Sequence, residues 1–257
     1  MPDYTIPDKK DVEKTIKSIF RLLFPSTNSY SDNENENSLN HSQILLLGLL
    51  IGLTDEKEKV ANLFFENLEN IKKTLLKDAG FILESDPAAT QLIEVIAIYP
   101  GFFAIFCYRI ANSLTKLAVP LLPRMITEYA HKVTGIDIHP SAEIGCPFSI
   151  DHGTGIVIGE TAIIGNNVKL YQGVTLGALS VDKSKASKKR HPTIEDNVIL
   201  YSGCTILGGE TVVGRSSIIG GNVWLTESIA PFSVVYHKSE IIVRNQTGFQ
   251  EPINFII

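Results

Sequence analysis

The chain has 257 residues, 44% of them hydrophobic and 20% charged, which is enough apolar material for one large core or two smaller ones. Its 23 Lys and Arg against 28 Asp and Glu leave a net charge of -5, which argues against a general nucleic-acid binder, because such proteins turn a basic face to phosphate. Three widely spaced cysteines, Cys107, Cys146 and Cys204, fit reduced structural thiols in a reducing compartment.

In chain order, Met1 to Lys10 has mixed charge and no apolar leader segment. The longest apolar stretches, Ile44 to Leu53 and Ile93 to Phe106, are short or broken by Pro100-Gly101, so a soluble cytoplasmic protein with no membrane partner is expected. From about Lys10 to Thr134 apolar residues recur at helical spacing, as in Ile16, Ile19, Phe20 and Leu23, then Val60, Leu63, Phe64 and Leu68. The polar run Ser26 to Asn40 is too hydrophilic to bury and is expected to be a surface loop. Asp86 followed by Pro87 reads as an N-cap with proline at the first helical position.

Near residue 136 the period changes. Ile138, Ile144, Ile150, Ile156, Ala162, Val168 and Val174 fall six apart, and after an interruption Ile194, Leu200, Ile206, Val212, Ile218, Trp224 and Ala230 do the same. Neither an α-helix nor an alternating strand needs a six-residue stripe, whereas a triangular coil with six residues per side does. The spacing predicts coils of 18 residues, with Ile138 under Ile156, Ile150 under Val168, Leu200 under Ile218 and Val212 over Ile194. The expected fold is α+β: a helical domain over residues 1–135, a parallel β-helix of hexapeptide repeats over 136–235, and a tail over 236–257.

Two features inside the coil suggest chemistry. The interruption between Gly177 and Pro192 concentrates Lys, Arg and His191 in an acidic protein, as a local anion site would. Asp151-His152-Gly153-Thr154-Gly155 sets a histidine between an acid and glycines, with open approach for a substrate. His139 also lies near an acid, so an Asp beside a His is not decisive alone.

Asp137-Ile138-His139-Pro140, Asp151-His152-Gly153-Thr154-Gly155, Gly159-Glu160-Thr161-Ala162, Gly173-Val174-Thr175-Leu176-Gly177 and Arg190-His191-Pro192 occur in the order seen in serine O-acetyltransferases. Asp86-Pro87-Ala88-Ala89, Tyr99-Pro100-Gly101-Phe102 and Tyr108-Arg109-Ile110-Ala111 also resemble that family, so the likeness runs from about residue 84 to 235. The resemblance implies a left-handed β-helix of the hexapeptide acyltransferase superfamily, assembled as a homotrimer or as a hexamer of two trimers, with sites between neighbouring coils.

It further implies acetyl transfer from acetyl-CoA to L-serine by direct attack, with His152 as general base oriented by Asp137. Asp86 and Asp151 would face the serine ammonium and hydroxyl, and Arg190 and His191 its carboxylate. Gly177, Ala178, Tyr201, Ser202 and Gly220 would line the CoA groove, with Ser217 where many relatives place a lysine. No tightly bound cofactor is implied, and L-cysteine is expected as a feedback inhibitor at the serine site. The C-terminal Ile257 matches the terminal isoleucine that enters O-acetylserine sulfhydrylase, the next enzyme of cysteine synthesis.

Three other readings compete. An acetyltransferase for a sugar or antibiotic would keep the histidine but has no reason to hold Asp86-Pro87, Arg190-His191-Pro192 and a terminal Ile together. A carbonic anhydrase on this fold needs three histidines on one metal. No two of the six histidines show the five-residue separation of such enzymes, so no metal is expected. A catalytically inactive scaffold has no use for the His152 constellation.

Overall fold

The computed structural model describes residues 5–25, 32–179 and 188–238. Seven helices come first among these: α1 (Lys9–Leu23), α2 (Asp32–Leu50), α3 (Lys57–Glu66), α4 (Leu68–Ser85), α5 (Leu92–Ile98), α6 (Pro100–Lys116) and α7 (Leu122–Thr134). Helix α6 is their centre, with Phe102, Ile105, Phe106, Cys107, Ile110, Ala111 and Leu114 all buried. No single described helix is long and apolar enough to cross a membrane, and α5 with α6 reaches that length only as a pair bent by 72°. Gly135, in the left-handed conformation at φ +72°, closes α7 and turns the chain into the first coil.

Two local expectations change here. Residues 32–40 of the polar run belong to α2 rather than to a loop. Polarity forbids their burial but not helicity, and the helix is anchored further on, where Leu46, Leu49 and Leu50 are buried and Ser42 bonds Ser18 at 2.8 Å. Asp86 follows α4 instead of preceding a helix. Its carboxylate accepts from Ala88 N at 2.8 Å, and Pro87 stops α4 behind it.

The described residues that follow form a parallel β-helix of about five coils. They comprise β1 (Asp137–Ile138), β2 (Glu143–Ile144) and β3 (Phe148–Asp151); β4 (Val157–Ile158), β5 (Ile163–Ile164) and β6 (Val168–Tyr171); β7 (Thr175–Gly177), β8 (Thr193–Ile194) and β9 (Ile199–Leu200); β10 (Thr205–Leu207), β11 (Val212–Val213) and β12 (Ile218–Ile219); β13 (Trp224–Leu225) and β14 (Val234–Val235). The first face of the prism stacks β1-β4-β7-β10-β13, the second β2-β5-β8-β11 and the third β3-β6-β9-β12-β14. Each side buries two residues in alternation, such as Ala142 and Ile144, Phe148 and Ile150, or Leu200 with Val198.

The coils are not uniformly 18 residues long. Ile138 stacks on Ile158 and Ile150 on Leu170, a step of 20. Ile158 stacks on Leu176, a step of 18, and Leu170 on Leu200, a step of 30 that contains the insertion. Leu200 meets Ile219 and Ile194 meets Val213, a step of 19. All four predicted stacking pairs are therefore displaced. The six-residue step itself holds along each side, and the extra residues enter at corners. Two lie between Asp151 and Ile156, and one follows Leu207, where Gly208 takes φ +104°. Beyond that corner Val213 and Ile219 point inward, and Trp224 is 67% exposed.

The helices are fastened to the first coil by a buried polar joint. Asp78, fully buried, accepts from Arg109 Nε at 3.1 Å, Arg109 Nη2 at 3.2 Å and Phe148 N at 2.8 Å. Arg109 also donates to the carbonyls of Ile144 at 2.7 Å and Gly145 at 2.6 Å. The Tyr108 hydroxyl donates to Ala142 O at 2.6 Å and accepts from Ile144 N at 3.2 Å.

Candidate active site

The corner enlarged by two residues carries His152. With φ +58°, its backbone lies in the left-handed region that a non-glycine residue seldom takes, and its side chain is 74% exposed. The third face ends at this corner, so β3 delivers Asp151 beside it, with Oδ1 3.7 Å from His152 Nε2. The other oxygen of Asp151 lies 3.3 Å from Lys169 Nζ.

Lys169 was not foreseen from the sequence. It projects from β6 between the inward residues Val168 and Leu170, donates to Ser85 O at 2.8 Å at the end of α4, and sits 4.7 Å above the Tyr171 ring. Burial works against its charge, but the Tyr171 hydrogen bond and the Asp151 carboxylate outweigh that and leave its pKa raised. Through Ser85 it ties the Asp86 turn to the coil. Asp86 in turn accepts from the Tyr99 hydroxyl at 2.7 Å. That hydrogen bond and the one from Ala88 N hold Asp86 below the usual carboxylate range, and the same contact pushes the Tyr99 phenol up to about 12. Asp86, Asp151 and His152 thus lie together around Lys169, with Asp86 and Asp151 both held as hydrogen-bonded or ion-paired carboxylates.

Above His152 on the same edge, between the third and first faces, Tyr171 and Tyr201 stack at 4.9 Å with rings 10° apart. Ser202 adjoins Tyr201, and Gly220 follows on the next corner of this edge. Gly203 is needed there for φ +71° and because a Cβ would meet Asn222 Oδ1 at 2.4 Å.

Arg190 and His191 lie elsewhere, on the edge between the first and second faces, beside Glu160, Thr161, Gly177 and Ala178. Arg190 pairs with Glu160. His191 packs against Gly159, where a Cβ would sit 2.0 Å from its ring. Burial, aided by the Arg190 charge, pushes the His191 pKa down to about 4. Asp137 faces outward from the first face and is held by Arg124 at 3.0 Å. Within one chain no described hydrogen bond joins Asp137 to His152. The predicted residues therefore fall into two groups on two edges of the prism. Most of the insertion, residues 180–187, and Ile257 lie outside the described residues.

No family model matches the chain. A plasmid-encoded serine acetyltransferase of Synechococcus elongatus is 46% identical over 188 residues, 71% of this chain and 59% of that one. The serine acetyltransferase of Bacillus licheniformis is 44% identical over 183 residues, 71% of this chain and 82% of that one. Among solved structures, serine acetyltransferase isoform 3 of Entamoeba histolytica in complex with cysteine superposes with a TM-score of 0.80 at 34% identity, over 90% of this chain and 84% of that one. Neisseria gonorrhoeae serine acetyltransferase in complex with serine gives 0.65 at 26% identity, over 91% of this chain and 96% of that one.

Proposed function

Since the chain belongs to the serine acetyltransferase family, transfer of acetyl to the serine hydroxyl is the reaction its site must perform, and we propose that it does so across two copies of the chain. The carrying observation is the separation of the site residues: Asp86, Asp151 and His152 stand on one edge of the prism, Asp137, Arg190 and His191 on or beside another. A zwitterion needs an anionic and a cationic partner at once. Rotating one copy about a threefold axis brings the second edge against the neighbour's first and supplies both. The homotrimer then makes three equivalent sites, and a hexamer of two trimers leaves them intact.

In such a site the ammonium of L-serine lies against Asp86 and Asp151, and its carboxylate against Arg190 and His191 of the adjoining copy. The imidazole of His152 takes the hydroxyl proton as the serine oxygen attacks the thioester carbonyl of acetyl-CoA, with Asp137 of that copy aligning and stabilising the ring as it charges. The carbon–sulfur bond breaks, and the imidazolium returns the proton to the departing CoA thiolate. No acyl-enzyme is required, because Cys107, Cys146 and Cys204 are free and burial raises all three thiol pKa values.

Acetyl-CoA is a co-substrate rather than a resident group. It runs along the groove past Gly177 and Ala178 of one copy and Tyr201, Ser202 and Gly220 of the other. L-Cysteine, with a thiol in place of the hydroxyl, competes for the serine end. The product, O-acetyl-L-serine, feeds cysteine synthesis in the cytoplasm.

The reading is tested by thiol release from acetyl-CoA with a panel of acceptors. L-Serine is the preferred acceptor, and absence of serine-dependent release, or preference for a sugar hydroxyl, overturns it. The C-terminal Ile257 is proposed to dock into O-acetylserine sulfhydrylase. Deleting Ile257 abolishes co-elution with that enzyme while acetyl transfer continues; undiminished co-elution counts against the docking.

A further inference from the structure

Thr161 makes more contacts with the segment after the insertion than any role assigned so far requires. Its Oγ1 accepts from Arg190 N at 2.9 Å and from His191 N at 3.1 Å, and lies 2.9 Å from His191 Nδ1. Its own N–H donates to the same Nδ1 at 3.0 Å. Lys189 closes the ring of contacts by donating to the carbonyls of Thr161 at 3.1 Å and His191 at 2.7 Å.

Proton counting leaves one arrangement. A hydroxyl oxygen has two lone pairs, and two backbone N–H groups occupy them, so the Thr161 hydroxyl is left as a donor with His191 Nδ1 in reach at 2.9 Å. Nδ1 then receives an N–H and an O–H and cannot carry a proton itself. The imidazole proton sits on Nε2. Among the described residues no buried side-chain nitrogen or oxygen lacks a partner, and Nε2 makes no hydrogen bond, so Nε2 is the ring nitrogen that keeps contact with solvent. Gly159 permits this pose, since a Cβ there would lie 2.1 Å from Nε2.

We propose that Thr161 is a positioning residue that fixes His191 as a neutral imidazole presenting Nε2–H to the carboxylate of the amino-acid substrate, leaving Arg190 as the cation of that pair. The proposal rests on the placement of the serine carboxylate at Arg190 and His191. The charged and titratable groups around His191 are Arg190 and Lys189, both cationic, with Glu160 and His139. Burial first, and then the Arg190 and Lys189 charges, disfavour a positive charge on the ring, in keeping with its lowered pKa. Carboxylate recognition therefore stays constant through neutral pH, where a histidine in water would be losing its charge.

Heavy-nitrogen NMR of the full-length chain, labelled in its histidine side chains, tests this without any acceptor. The His191 resonances are identified by their loss in His191→Gln. From about pH 5.5 to 8 they should report unprotonated Nδ1 and protonated Nε2 throughout. The Nδ1–H tautomer, or an imidazolium at about pH 6.5, overturns the proposal. Thr161→Val removes the hydroxyl and its acceptor sites and should raise the KM for L-serine roughly tenfold, with the KM for acetyl-CoA changed much less. Thr161→Ser should restore the KM and keep the wild-type tautomer. If Thr161→Val does not fold, the wild-type and Thr161→Ser spectra still decide the matter. A wild-type enzyme with the expected tautomer but no serine-dependent turnover would refute the serine reading alone.

Discussion

His152→Ala is expected to lower serine-dependent thiol release by roughly 10²–10⁴-fold, the usual contribution of a positioned general base. The side chain is 74% exposed and bonds nothing in the core, so thermal stability should stay near that of the wild type. A lost activity is then a lost proton acceptor rather than a lost fold. Arg190→Ala is also expected to be nearly inactive, through the substrate carboxylate. The two inactive chains become informative together. If each site takes His152 from one copy and Arg190 from its neighbour, trimers reassembled from an equal mixture carry roughly a quarter of their sites intact, and activity returns to that level. No recovery on mixing would place both groups in the service of one chain.

The second large effect is on stability. Asp78→Ala should cost about 3–5 kcal/mol, as removing one partner of a buried ion pair commonly does. It leaves the Arg109 guanidinium without a carboxylate, keeping its bonds to the Ile144 and Gly145 carbonyls, and leaves Phe148 N without the acceptor it has in the wild type. Asp78→Asn keeps an oxygen for Phe148 N and should be milder. Because the joint connects the Asp86-bearing end of α4 to the coil that holds His152, the KM for serine should rise in Asp78→Ala well below its unfolding temperature. Thermal unfolding and steady-state kinetics on the same preparations check both; a midpoint shift of less than about 2 °C would show that the joint contributes little.

The fold was legible because a six-residue inward beat has few physical explanations, and it persists along every side from Ile138 to Ile206. The register was not legible. Counting six at a time carries straight across the corner at His152, since Ile156 and Ile158 are both buried and the count lands on a core residue either way. Only the strand pairing reveals that the corner is longer and that His152 is extruded there. Lys169 escaped for the same reason. Without a 20-residue step, Asp151 cannot be seen to lie beside Tyr171, nor Lys169 near either. The partnership of Asp137 with His152 was carried by family likeness alone, and within one chain Asp137 is paired with Arg124. Polarity misled over residues 32–40 of α2, because a hydrophilic stretch can extend a helix whose buried face lies further along.

The joint at the first coil also makes the stack of coils polar in its capacity to grow. A solenoid has two raw ends, each offering unpaired backbone groups to another strand. Here the helices cover the end that begins at Ile138, while the last coil leaves Trp224, Phe232, Val234 and Tyr236 exposed. Coils can therefore be added beyond Val235 without moving His152 or the insertion, so the prism can grow in height while the chemistry stays at a fixed distance from its base.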